Sequence, residues 1–215
     1  MITLALEFST DRRSVAIGRD DKLLAEVSHS GTVRTPVFAL ISLAITEAGI
    51  TREQVEQLVV GIGPGSYTGI RIAISAVQGW HLATAAQIVA VNSLENLALD
   101  VGPRALLAVD AQRGEFATAW AERGALVDPI RLRSTEEVRT VVAQGETVIG
   151  PELQRHLPMA QPGFPSARNA LRLAAGTRPT APVFLAPVYL REANFVKAPA
   201  ARVIPDITDR QISVP

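Results

Sequence analysis

The chain has 215 residues, 47% of them hydrophobic and 20% charged, enough for a packed core in one large domain or two small ones. Formal net charge is zero, so the average composition gives no pull toward nucleic acid or anionic lipid. The absence of cysteine excludes disulfides, thiolate metal sites and cysteine nucleophiles. The opening Met1-Ile2-Thr3-Leu4-Ala5-Leu6-Glu7 has no basic segment, and no apolar run is long enough to span a bilayer, so a cytoplasmic location is the expectation.

Residues 2–8 alternate as a strand does, with Ile2, Leu4, Leu6 and Phe8 against Thr3, Ala5 and Glu7. Polar turns at 9–13 and 19–22 separate further strands at 14–18 and 23–28, and turns this short predict an antiparallel meander. The period then changes. Thr35 and Pro36 cap a helix, with Pro36 at its first position, and Val37, Leu40, Ile41, Ala44, Ile45 and Ala48 follow at helical spacing up to the glycine cap Gly49. Residues 57–63 predict a strand, 68–84 a helix and 87–91 a short strand, while Asn92 and Glu95 have the spacing of a capping box that opens a helix through about Asp100. Antiparallel strands followed by strand–helix alternation predict an α/β protein with a mixed sheet covered by helices.

Gly102-Pro103-Arg104 marks a boundary between an N-terminal lobe, 1–102, and a smaller C-terminal lobe, 103–215. In the second, 105–110 and 115–121 form a hairpin around Gln112-Arg113-Gly114, followed by a strand at 129–133, a helix at 135–143 and a strand at 147–149. The order echoes the first lobe without any repeat in the sequence. From Pro151 prolines are frequent, apart from a helical stretch at 167–175, and the tail from about Arg202 is expected to be loosely held.

The chain is organised around Gly61-Ile62-Gly63-Pro64-Gly65-Ser66-Tyr67-Thr68-Gly69-Ile70-Arg71-Ile72, where a strand turns into the helix 68–84. So many glycines are costly in chain entropy, so the corner needs special backbone angles or very close approach. Backbone N–H groups at a helix start can hold phosphate, but the corner lacks the lysine of a P-loop, the third glycine of the dinucleotide fingerprint and the glycine of a nucleophile elbow. The helix it launches is apolar on two faces, Ile70, Ala73, Ile74 and Val77 on one and Ile72, Ala76 and Trp80 on its neighbour, so it must bury more than one side.

His29, His81 and His156 are scattered, without metal-ligand spacing. Glu7 and Asp110 each end the first strand of a lobe. Together they could hold a magnesium–nucleotide through water, or each could be a polar strand terminus, the simpler reading. Arg113-Gly114-Glu115 reads as a solvated hairpin tip, and Arg71 either faces an anion at the corner or lies on the exposed side.

The string Gly63-Pro64-Gly65-Ser66-Tyr67-Thr68-Gly69-Ile70-Arg71-Ile72 resembles the TsaB (YeaZ) family. Further matches are Leu4–Thr10, Val91–Ala98, Asp110-Ala111-Gln112-Arg113-Gly114-Glu115 and Pro187-Val188-Tyr189-Leu190-Arg191, so the resemblance covers nearly the whole chain. It implies an actin/Hsp70-like fold of two ribonuclease-H-like lobes. It also implies a non-catalytic subunit, without the metal-binding histidine pair of TsaD, that supports threonylcarbamoyl transfer to the tRNA adenosine next to the anticodon. The implied partners are a TsaD-type protein, a TsaE-type ATPase and a second copy of the chain through the same helices, with tRNA met only inside the complex and no membrane. The implied interface is Val37, Leu40, Ile41, Ala44, Ile70, Ile74, Val77 and Trp80, which an arginine at Ile74 would disrupt. No cofactor is expected on this chain alone, while ATP or ADP with magnesium at the complex interface would meet Gly63, Gly65 and Arg71. The sequence departs from the family at Glu7, where Asp is usual, and at His29–Pro36, a partial match to the approach to the first helix. The rival reading is a stand-alone nucleotide-dependent ATPase or phosphotransferase using Glu7 and Asp110. A peptidase is disfavoured, since there is no cysteine, metal motif or serine elbow.

Overall fold

The computed structural model describes residues 1–31 and 36–191. Thr35, expected to cap the first helix, and the tail from Arg202 lie outside the described residues. The first sheet holds β1 (Ile2–Glu7), β2 (Arg12–Arg19), β3 (Lys22–Ser30), β4 (Gln57–Gly61) and β5 (Gln87–Val91), in the order β3-β2-β1-β4-β5. β1, β2 and β3 are antiparallel; β4 and β5 run parallel to β1. β2 and β3 outrun their apolar alternation because hairpin pairing continues to Arg12↔Ser30 and Arg19↔Lys22.

The second sheet repeats that plan with β6 (Ala105–Asp110), β7 (Glu115–Glu122), β8 (Ala125–Leu126), β9 (Arg131–Ser134), β10 (Val148–Gly150) and β11 (Gln161–Pro162). β7 lies antiparallel to β6 and pairs on its other side with β8 and β9, while β10 and β11 extend the sheet in parallel. Each sheet thus has an antiparallel meander followed by two parallel strands. This is the actin/Hsp70-like pairing of ribonuclease-H-like lobes that the resemblance implied, repeated in backbone but not in sequence. The two-residue strands β8 and β11 are too short to leave a periodic signal.

The helices are α1 (Val37–Ala48), α2 (Tyr67–Thr84), α3 (Ser93–Ala98), α4 (Thr135–Ala143) and α5 (Ala167–Ala174). α1 ends as expected, with Gly49 left-handed at φ 64°, but Pro36 is the N-cap residue and not the first helical one. Asn92 Oδ1 accepts from the N–H groups of Leu94 and Glu95, half of a capping box; Ser134 and Glu137 on α4 make a reciprocal one. α1 and α2 cover one face of the first sheet, burying Leu4, Leu6, Phe8, Leu58 and Val60. Its other face is covered by α5, through Ala167, Ala170 and Ala174 on Ala5, Ala16, Val59 and Val89. In exchange, Leu94, Leu97 and Ala98 of α3 pack against Leu107, Val109 and Ala121 of the second sheet. The strands divide near residue 102, but α3 and α5 each cross that division.

The glycine corner brings the start of α2 onto the end of β1. A Cβ on Gly65 would overlap the Ser9 carbonyl, and one on Gly69 would overlap the Phe8 carbonyl oxygen. Ser66 N–H donates to Ser9 O at 2.6 Å, and Ser66 Oγ accepts from Gly69 N–H at 3.3 Å. Gly79, one face round the same helix, borders open space, and a methyl group added there would meet nothing within 4 Å. Gly69→Ala should therefore lower unfolding free energy by about 2 kcal/mol or more, whereas Gly79→Ala should raise it by about 1 kcal/mol. Urea denaturation of the two variants beside the parent chain measures both.

Candidate functional site

Glu7 was paired with Asp110 in the sequence, but the structure separates their environments. Glu7 is fully buried. Its carboxylate accepts from Ser9 N–H at 2.9 Å, from Ser93 Oγ at 3.1 Å and from Asn96 Nδ2 at 3.5 Å. Ser93 Oγ accepts in turn from Gly63 N–H at 3.1 Å, and Ser93 N–H donates to Gly63 O at 2.8 Å, so the corner is tied through Ser93 to Glu7. Asn96 carries the network to α5, exchanging hydrogen bonds with the Ser166 backbone at 2.8 and 2.9 Å. Burial pushes the Glu7 carboxyl up from its ordinary value, and the bonds from Ser9 and Ser93 pull back only part of that. Asp110 is exposed and its carboxylate accepts from Gln112 N–H at 2.7 Å, closing its own turn. The two carboxylates do not fit a shared magnesium–nucleotide site, because one is enclosed by its donors. Among the described residues no three His, Asp or Glu side chains gather so as to hold a metal ion.

Between the sheets lies a cleft of about 590 Å³, bounded by Ser9–Asp11, the corner from Pro64 to Thr68, the β6–β7 turn, the segment Pro151–His156 and the strap Pro187–Arg191. Its acids are Asp11, Asp110 and Glu152. Glu152 is held at φ 50°, and burial followed by the Asp11 charge raises its carboxyl. Sequence reasoning missed Asp11 and Glu152, which lie in turns, and Arg155, which ends the single 3-10 turn Leu153–Arg155, all too short to show periodicity. The strap joins the lobes: Val188 N–H donates to Ile62 O at 2.9 Å, and the Arg191 guanidinium donates to Ala111 O and Gln112 O, both at 2.9 Å, and pairs with Glu115. Two stretches that carried the family resemblance, Asp110–Glu115 and Pro187–Arg191, are therefore in contact. His156 lies in the cleft edge-on to Phe116, and His81 Nδ1 bonds Ala86 O at 2.8 Å, a structural role beyond the end of α2.

On the other side of α2's first turns, a groove of about 480 Å³ runs between α1 and α2, lined by Val37, Phe38, Tyr67, Thr68, Arg71, Ile72, Ser75 and Ala76. Phe38 is 69% and Tyr67 57% exposed. Of the residues expected to bind nucleotide, Gly65 lines the cleft, Gly63 is enclosed between Ile70 and Ser93, and Arg71 lines the groove, so the three do not converge. The expected interface needs a fuller correction. Leu40, Ile41, Ala44, Ile70, Ile74 and Val77 are buried against the chain's own sheet, and Val37, also buried, reaches only the groove floor. Trp80 is half-buried against the same core, with no acceptor for its indole N–H among the described residues. The physical reason is that the most regular apolar stripe of a helix is claimed first by its own sheet. An arginine at Ile74 would thus report on folding. The groove residues left to meet another molecule are Phe38, Tyr67, Thr68, Arg71, Ile72, Ser75 and Ala76; Phe38 was visible in the sequence as an aromatic residue off the stripe of α1.

The family profile described as "TsaD: tRNA N6-adenosine threonylcarbamoyltransferase" matches residues 34–148, more than half of the chain. Similar curated proteins are the tRNA threonylcarbamoyladenosine biosynthesis protein TsaB of Escherichia coli, 30% identical over 128 residues, and that of Bacillus subtilis, 29% identical over 131. The first match covers 57% of this chain and 54% of that protein, the second 55% and 54%. The chain belongs to the TsaD family, in its TsaB (YeaZ) group. It spans about half the length of the curated relatives it matches. The structure of YeaZ from Pseudomonas aeruginosa is 26% identical with a TM-score of 0.72, and that of a protein with similarity to peptidase YeaZ from the same organism is 25% identical with a TM-score of 0.74. Each comparison covers 88% of this chain and 99% of the other. Among the described residues no helix is long and apolar enough to cross a membrane.

In this TsaB-group chain the Glu7 carboxyl has a folded-state pKa above its ordinary 4.5, so the native state holds the proton more tightly than the unfolded chain does. Its contribution is fully present below that ordinary value and is lost as pH rises through the raised one. Glu7→Gln should flatten the fall in stability on raising the pH above 4.5, as read from thermal unfolding midpoints across a pH series of both proteins.

Proposed function

We propose that the chain is a non-catalytic subunit that docks a TsaD-type enzyme in the groove between α1 and α2, and thereby supports threonylcarbamoyl transfer to the tRNA adenosine next to the anticodon. The observation that carries this reading is the unsealed groove beside the glycine corner, with Phe38 and Tyr67 exposed above Ile72 and Ala76. Supporting it are membership of the TsaB group and the names of the curated relatives, tRNA threonylcarbamoyladenosine biosynthesis proteins. Filling the groove would return about 2 kcal/mol for burying a phenylalanine side chain alone, and tyrosine and arginine are the side chains on which binding energy tends to concentrate. In this reading the enclosed Glu7 is a structural acid. ATP or ADP with magnesium belongs to the partner's side of the complex, where a TsaE-type ATPase and the tRNA also enter.

Ser75 is exposed in the groove, so an arginine there disturbs docking without entering the core. Co-purification with the TsaD-type protein of the same organism should capture the parent chain and lose the Ser75→Arg variant, with equal thermal unfolding midpoints for the two. Association that survives Ser75→Arg, or a parent chain that never associates, would show this reading to be wrong.

A further inference from the structure

Among the described residues, the groove holds a single formal charge. Arg71 is exposed, its guanidinium lies 5.1 Å from the centre of the Tyr67 ring, and it donates to the Tyr67 hydroxyl. No carboxylate lies within ion-pair distance of it among the described residues, which is true of several other arginines too; what sets Arg71 apart is its place in the lining of an otherwise uncharged groove. The rest of the lining, Val37, Phe38, Tyr67, Thr68, Ile72, Ser75 and Ala76, is uncharged. Arg71 also stands near the positive end of the α2 dipole, whose first turn holds no acidic residue, so the helix itself gains nothing from a cation there. Stacking on Tyr67 holds the guanidinium against the groove wall before any partner arrives, which lowers the ordering cost of using it.

We infer that the element docking in this groove is an apolar face bearing one carboxylate opposite Arg71, and that this pair selects the partner. The inference rests on the docking reading above. Covering the groove strips water from the guanidinium, which is costly unless a carboxylate meets it, so a partner without one is rejected by Arg71 while a partner with one gains a charge-assisted bond. A second copy of the chain is the poorer occupant. Residues 67–84 contain no Asp or Glu, and α1 contains only Glu47. Glu47 lies about 15 Å along α1 from Val37, at 1.5 Å rise per residue. Two copies whose grooves face each other across a two-fold axis would bring Arg71 toward its own duplicate.

The test is calorimetric titration of the TsaD-type protein with the parent chain, Arg71→Met, Arg71→Glu and Ser75→Arg, at low and at physiological ionic strength. We expect Arg71→Glu to weaken binding by about tenfold or more, Arg71→Met to weaken it less and to lose the parent's salt dependence. A carboxylate-to-lysine substitution on the partner's docking face should restore binding to Arg71→Glu. If both Arg71 variants bind as the parent does while Ser75→Arg fails, the groove docks the partner but the charge pair is refuted. If Ser75→Arg binds as well, the docking reading itself has failed. Self-association of the parent that Ser75→Arg abolishes, and that is tighter than its binding to the TsaD-type protein, would also overturn the inference.

Discussion

The distance between the end of β1 and the start of α2 governs the rest of this molecule. Gly65 and Gly69 lie where no side chain fits, against the carbonyl groups of Ser9 and Phe8, and Ser66 N–H closes the contact. That contact fixes where α2 begins, and the first turns of α2 form a wall of both the interlobe cleft and the α1–α2 groove. The same glycines suggest a phosphate cradle when read alone. In the fold, the Gly63 N–H is taken by Ser93 and the Ser66 N–H by Ser9, so these donors of the corner go to positioning a helix.

Behind the corner, Glu7 connects β1, α3 and α5. Its donors come from Ser9, Ser93 and Asn96, and Asn96 extends the network to Ser166 and Asn169. A buried acid is costly unless hydrogen-bonded, and here the bonds join elements from both halves of the sequence. The exchange of α3 and α5 between sheets makes these bonds possible. The strap from Pro187 to Arg191 adds a second tie, gripping the β6–β7 turn at its carbonyl groups. The lobes are therefore braced on two sides of the cleft.

Much of the fold was legible because periodicity is a local property. β1, α1, α2, β5, α4 and α5 stand where their patterns put them, within a residue or two at the ends. The repeated strand order of the two lobes was visible only as an echo, since β8, β9 and β11 are short and supply little pattern. The surfaces were harder to read. A helix wheel ranks Ile70, Ile74 and Val77 as the strongest apolar face, but it cannot say whether that face meets the chain's own sheet or another molecule. The first sheet took it, and the groove was left to Phe38, Tyr67, Ile72 and Ala76, a less regular set.

By itself the sequence determined the element types, the family and the need for glycine at the corner, because each depends on neighbours a few residues apart. Only the tertiary structure decided which acid is enclosed, which arginine clamps a turn and which face of α2 remains open. Those outcomes depend on what residues 86 to 89 positions away do, as Ser93 and Asn96 do to Glu7. Glu7 and Asp110 end equivalent strands in the sequence pattern, yet one is sealed under α3 and the other faces solvent, and no local signal distinguishes them.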